Sequence, residues 1–176
     1  MDIDRLGPYQ IVGQLGRGGM GTVYEGVHRE TGEPAAIKLL SAALAQEEGF
    51  RVRFETEIET LRKLNHPNIV RLFGFGQQED HLFYSMELVD GNSLEEELRR
   101  GRHFDWREVT RIGVEMCRAL RHAHDRGVIH RDIKPGNVLM SADGRVKLSD
   151  FGIARLFGYS HLTSAGNVLG TAEYIA

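Results

Sequence analysis

VIHRDIKPGNVL, residues 128–139, sets three charged side chains, a histidine and an asparagine between two apolar ends. Val128-Ile129 and Val138-Leu139 read as short buried segments, and Pro135-Gly136 marks irregular backbone between them. The charges therefore sit on a loop held at both ends. Taken singly, each residue fits a plain polar connection: Asp132 and Asn137 are ordinary turn residues, and Arg131 and Lys134 are ordinary solvated cations. Only its combination with segments far away in the chain sets this loop apart.

The chain has 176 residues, 41% hydrophobic and 27% charged, enough for one domain with a real core and too apolar for wholesale disorder. A formal net charge of −3 gives no general attraction to nucleic acid or to an anionic membrane, so partners must be inferred from sites. The single cysteine, Cys117, excludes an internal disulfide, and no Cys/His metal spacing occurs. A reducing, cytoplasmic setting fits. MDIDRLGPYQ is acidic where a signal peptide would be basic and then apolar, and no stretch reaches the length of a membrane span. A soluble segment without membrane contact is expected.

The pattern changes near Leu88, which predicts one unit over residues 1–88 and another over 89–176. In the first, YQIVGQL, GTVYEGVHR, PAAIKLL, IVRLFGFG and HLFYSMELV have the β-branched and aromatic content of antiparallel strands. Between the third and fourth, Phe50, Phe54, Ile58, Leu61 and Leu64 recur at helical spacing, and the helix stops at Asn65-His66-Pro67. The second part opens with Ser93 and Glu96 at capping-box spacing and Gly101 past the helix end. A longer helix follows, with Asp105 and Glu108 as caps, an apolar stripe of Val109, Ile112, Met116, Leu120 and Ala123, and Gly127 as its stop. GRVKLSDFG reads as a short strand entering a polar turn.

Three further segments accompany the loop. LGRGGMGTVY places Gly16, Gly18 and Gly21 in a GxGxxG pattern; a dinucleotide site would need a helix after the last glycine, whereas Thr22-Val23-Tyr24 continues as a strand. A glycine hairpin instead lets backbone amides approach phosphate oxygens. In PAAIKLL, alternation puts Ala36 and Lys38 on one face and Ala35, Ile37 and Leu39 on the other. Glu57, between Phe54 and Leu61 on the apolar side of the helix, needs a cation, and Lys38 is the candidate. Glu55, Glu59 and Arg62 fall on the solvated face.

In chain order these are a glycine hairpin, a strand lysine, an inward glutamate, HRDxKxxN and the DFG of residues 150–152. The set resembles the protein kinase family from about Tyr9 to the last residue, and HRDIKPGNVL, SDFGIAR and GTAEYIA are similar to bacterial eukaryotic-type (Hanks-type) serine/threonine kinases. The resemblance implies an α+β, protein-kinase-like fold: a small antiparallel β lobe with one helix, plus the first part of a mainly helical lobe. It implies a non-specific serine/threonine protein kinase (EC 2.7.11.1 class) using ATP and Mg2+ on Ser/Thr hydroxyls of proteins. Leu15, Gly16, Arg17, Gly18, Gly19, Met20 and Gly21 would cover the nucleotide, with Val23, Ala36 and Leu139 as apolar walls, Glu87 to Val89 as hinge backbone and Met86 behind. Lys38, held by Glu57, would bind the α and β phosphates, and Asn137 and Asp150 the metal. Asp132 would take the acceptor proton, with Lys134 near the γ-phosphate and Thr171 bridging the two.

Arg131 before Asp132 goes, in this family, with activation by phosphorylation after DFG. Arg53 and Arg155 could converge with it on Thr163 or, next, Ser164. The resemblance further implies that an Ala-Pro-Glu motif and several helices would follow Ala176, so residues 1–176 alone are expected to be marginally stable and nearly inactive. Two rivals stand: a pseudokinase scaffold, against which every polar group the reaction needs is present, and a small-molecule kinase of related fold, against which stand Arg131, Lys134 and GTAEYIA.

Overall fold

β1 (Arg5–Leu6), β2 (Tyr9–Gly18), β3 (Gly21–His28), β4 (Pro34–Leu40), β5 (Leu72–Gln78) and β6 (His81–Met86) form one antiparallel sheet in the order β1-β2-β3-β4-β6-β5. The computed structural model describes residues 3–18, 21–41, 49–79 and 81–151. The chain divides into two compact units, Met1–Lys63 with Arg71–Leu88 and Leu64–Val70 with Val89–Ala176.

In the first unit β4 is central and its two faces do different work, as its alternation predicts. Ala35, Ile37 and Leu39 join Leu6, Tyr9 and Phe83 in a core cluster. Lys38 lies opposite Val23 on one side and Tyr84 on the other, and cross-strand partners share a face. α1 (Phe50–Leu61) buries Phe50, Phe54, Ile58 and Leu61. Phe54 sits 5.9 Å from the Phe75 ring and 6.3 Å from that of Tyr84, so the helix packs through aromatic contacts on β5 and β6. The glycine hairpin closes with Gly18 opposite Gly21. Gly21 has φ 145°, and a Cβ there would lie 1.9 Å from the Leu39 carbonyl oxygen, so no side chain fits.

The second unit contains β7 (Gly91–Ser93), β8 (Val138–Ser141) and β9 (Val146–Leu148) in the order β7-β8-β9, with helices α2 (Leu94–Arg99) and α3 (Trp106–His124). Both predicted capping boxes form, at Ser93 with Glu96 and at Asp105 with Glu108. Gly101 and Gly127 follow their helices at φ 80° and 72°. None of the helices among the described residues is long and apolar enough to cross a membrane.

Several expectations need correction. The strand expected from Ile69 starts at Leu72; Ile69 makes a single parallel bridge to Leu148 in the second unit. Val70 N–H donates to the Leu148 carbonyl and Leu148 N–H to that of Asn68, both at 2.9 Å, which ties residues 64–70 to β9. The helix through Phe50 ends at Leu61 rather than continuing to Leu64, which is buried in the second unit. Gly91–Ser93, read as the lead into a helix, first pairs with β8. On α3, Ile112, Ala119 and Ala123 are buried, whereas Val109 of the expected stripe is 57% exposed; the helix contributes a narrower face than its apolar residues suggest.

These contacts rank two substitutions. Phe54→Ala empties a fully buried aromatic site and should cost about 3–5 kcal/mol, whereas Asp105→Ala removes one helix cap and should cost about 1 kcal/mol. Denaturant unfolding of both variants checks the order; equal losses would contradict the assigned packing.

Candidate active site

The loop after α3 is pinned first by burial. Val128 and Val138 are buried at its ends, and His130 is 1% exposed, its ring 4.4 Å from that of buried Phe151. Asp132 N–H donates to His130 Nδ1 at 3.3 Å. Between them Arg131 takes φ 67°, a left-handed conformation that a non-glycine residue holds only where its surroundings impose it.

The Asp132 side chain is then held by charge and hydrogen bonds. Its Oδ2 accepts from Lys134 Nζ at 2.9 Å and from Asn137 Nδ2 at 3.0 Å, while the same Nδ2 donates to the Asp132 carbonyl at 2.8 Å. Asn137 belongs to a 3-10 turn, Pro135–Asn137, that opens on the proline, and its N–H donates to the Lys134 carbonyl at 3.0 Å. Ser149 N–H and Oγ both donate to the Asn137 carbonyl, at 3.0 and 3.3 Å, linking the loop to the residue before Asp150. Asp150 has φ 57°. One hydrogen-bonded unit thus joins Asp132, Lys134 and Asn137 to the backbone beside Asp150.

Asn137 donates twice through Nδ2, so its amide oxygen is turned away from Asp132. An amide oxygen and the Asp150 carboxylate are hard oxygen donors suited to magnesium, which takes one or two carboxylates and completes its shell with water and phosphate. The donor chemistry fits the implied metal.

In the first unit Lys38 is 7% exposed on β4, its ammonium 5.9 Å from the centre of the Tyr84 ring. Val23 and Tyr84 flank it, and Ala36 on the same face pairs with Met86. Glu57, expected to hold Lys38, is half-buried on α1 and forms no ion pair with Lys38 or any other described residue. Leu15 is half-exposed at a bulge between Gln14 and Gly16, and Arg17 and Gly18 continue β2 toward the hairpin tip. Gly19 and Met20 lie outside the described residues. Glu87 N–H donates to the Arg71 carbonyl at 2.8 Å, fixing the backbone after β6. In the second unit Val89 and Leu139 are half-buried, the latter on β8 opposite Ser93. Arg53 is exposed on α1 and Arg131 on its loop, while Arg155, Thr163, Ser164 and Thr171 lie outside the described residues.

Sequence reasoning missed a hydrogen-bonded scaffold centred on Glu115. Asn68 Nδ2 donates to Glu115 Oε2 at 3.1 Å and to the Val146 carbonyl at 2.8 Å, and Val146 N–H donates to the same Oε2 at 2.8 Å. Arg111 Nη1 reaches Glu115 Oε1 at 2.9 Å and the Gly144 carbonyl at 2.6 Å. The signal was a glutamate beside Ile112 and Met116 on a helix face that otherwise reads as apolar.

With this geometry in place, comparison with known proteins gives the class. Residues 9–176 match the protein kinase domain model, and the chain belongs to that family. It is 46% identical over 172 residues to the serine/threonine-protein kinase PknJ of Mycobacterium tuberculosis, a match covering 96% of this chain and 29% of that protein. It is 37% identical to PknA of the same species, over 97% of this chain and 41% of the relative. The solved kinase domain of M. tuberculosis PknI superposes with a TM-score of 0.75 at 36% identity, over 83% of this chain and 60% of that one. The fold is protein-kinase-like, and the chain spans well under half the length of the curated relatives it matches.

The buried His130 carries a pH signature. Loss of solvation pushes its imidazole below the ordinary histidine range, opposed by the Ser149 backbone and the Asp132 and Asp150 carboxylates. Because the unfolded histidine takes a proton near pH 6.5 and the folded one only lower, the folded state should lose stability as pH falls from about 6.5. His130→Phe should flatten that decline in unfolding measurements from pH 8 to 5. His66 and His122, lowered as well, remain in both proteins and cancel. Parallel curves would remove His130 as the source.

Proposed function

We propose that the chain supplies nucleotide-binding and catalytic residues of a serine/threonine protein kinase that moves the γ-phosphoryl group of ATP to Ser or Thr hydroxyls of proteins. The observation that carries the reading is the Asp132 carboxylate held by Lys134 and Asn137 on a loop whose backbone is fixed by His130 and Ser149. Names of the similar proteins support the acceptor class.

In this reading the acceptor hydroxyl oxygen bonds to the γ-phosphorus as the bond to the β,γ-bridging oxygen breaks, ADP leaves, and the hydroxyl proton passes to Asp132. Such transfer asks mainly for positioning and charge neutralisation. Asp132 is pre-set for this, because its two donors occupy one oxygen and fix the carboxylate plane. Lys134 carries a positive charge into the same few ångströms. Magnesium, when bound by Asn137 and Asp150, neutralises phosphate charge. Lys38 is assigned to the α and β phosphates and the glycine hairpin to covering the nucleotide; Glu57, which does not pair with Lys38 in this structure, is assigned to hold it in the nucleotide-bound state. Leu15, Val23, Ala36, Met86 and Leu139 supply apolar surface for the base. Thr171 is assigned to bridge Asp132 and Lys134 when substrate binds, and Thr163 or Ser164 to accept an activating phosphate that Arg53, Arg131 and Arg155 would hold.

In the protein at its full natural length, assayed with a Ser/Thr peptide, ATP and magnesium, Asp132→Asn should lower turnover by about 10²-fold or more with ATP affinity nearly kept. Lys38→Met should lose transfer as severely while unfolding close to wild type. Wild-type turnover in either variant would sink the assignment of that residue.

A further inference from the structure

The first unit carries a cavity of about 430 Å³ that none of the residues assigned above lines. It forms where the starts of β2, β4 and β5 meet the ends of β3 and α1. Its volume lies within the range of small-molecule sites.

Part of the floor is apolar and fixed. Tyr9 donates its hydroxyl proton to Ser85 Oγ at 3.0 Å and meets the His28 ring edge-on at 5.2 Å, so its ring cannot swing to fill the space. Ala35 and Leu72 continue this surface, and Phe73 stands 38% exposed beside it. The charged groups are unevenly compensated. Arg62 is held by Glu59 at 2.8 Å, but Lys63 and Arg71 form no ion pair with any described residue. One further carboxylate, Glu33, lines the cavity, its Oε2 accepting from the Thr31 hydroxyl at 3.5 Å.

We propose that this cavity is a second ligand site, for a small amphipathic anion whose aromatic or branched aliphatic body rests on Tyr9, Ala35 and Leu72 while its one anionic group meets Lys63 and Arg71. Two uncompensated cations favour an anion, and hydrogen bonds from charged donors are the strong kind. Glu33 restricts the charge: it repels polyanions, so a triphosphate is a poor fit and a single carboxylate or phosphate a good one. The fixed apolar strip of Tyr9 and Leu72 offers an apolar body a contact that inorganic anions cannot make. The site stands apart from the phosphotransfer reading and does not depend on it.

The test is a titration of the isotope-labelled protein at its full natural length followed by amide chemical shifts, with 3-phenylpropionate as probe. The amides of Tyr9, Ala35, Leu72 and Phe73 should move while those of Val23 and Lys38 stay in place. 3-Phenylpropanol, which lacks the charge, and inorganic phosphate, which lacks the body, should each bind at least about tenfold more weakly; equal binding of either would overturn the proposal. Phenyl phosphate at comparable affinity would show that both anion types fit, and carboxylate-only binding would narrow the ligand to acids. Lys63→Ala with Arg71→Ala should weaken binding by about tenfold, as expected for losing charged hydrogen bonds. Glu33→Gln should tighten it by about threefold, a surface-charge effect of the usual size. That gain cannot come from misfolding, so it decides the matter even if the double variant fails to fold. No shifts at the cavity, or affinities unchanged by all three substitutions, would end the proposal.

Discussion

Everything assigned to chemistry in the second unit depends on one carboxylate, that of Asp132, being held still. Lys134 and Asn137 grip the same oxygen, and Asn137 also grips the Asp132 backbone, so neither the side chain nor the loop can move alone. Each such bond adds only about 1 kcal/mol net to stability, but together they over-determine a position. Surplus constraint also explains Arg131: a left-handed non-glycine residue costs on the order of 1–3 kcal/mol, and it persists because His130 and Val128 are buried before it and the Asn137 turn is anchored after it. The loop is rigid through its neighbours rather than its own propensity.

The first unit solves a related problem by different means. A lysine at 7% exposure on a central strand must keep its charge solvated or paired, since an isolated buried ammonium is very costly. Lys38 lies by the Tyr84 ring, on the face opposite the Leu6–Phe83 cluster, and the strand fixes its direction. The same sheet therefore packs one apolar cluster on one face and, on the other, carries a cation beside the aromatic contacts of α1. The cavity near Tyr9 lies in this unit as well, lined by charges that the phosphate-binding assignment leaves unused.

In the second unit, Glu115 links three pieces of chain by accepting from Asn68, Val146 and Arg111. Residues 64–70 thereby belong with the second unit although they interrupt the first in sequence. A partly buried carboxylate with this many donors is satisfied, and removing it would take the acceptor from the Val146 N–H and one of two acceptors from Asn68 and Arg111. Its role is structural, and it bears on function because β9 leads directly to Ser149 and Asp150.

The sequence by itself determined the family, both helix caps, the faces of β4 and the identity of the loop residues, because these rest on short-range rules: periodicity, capping chemistry and fixed spacings within a dozen residues. Leu61 and Phe54 could be placed in a core, and Asp132 singled out, from such local patterns and their order. Only the tertiary structure decided that Ile69 and Val70 pair with Leu148 instead of extending β5, that Val109 faces water while Ala119 is buried, and that Glu115 is a shared acceptor. It also decided that Lys63 and Arg71, each ordinary in its own context, border one cavity with Tyr9, far from both in sequence. Those outcomes depend on which distant segment offers a hydrogen-bond partner or an apolar surface, and a local pattern carries no record of that.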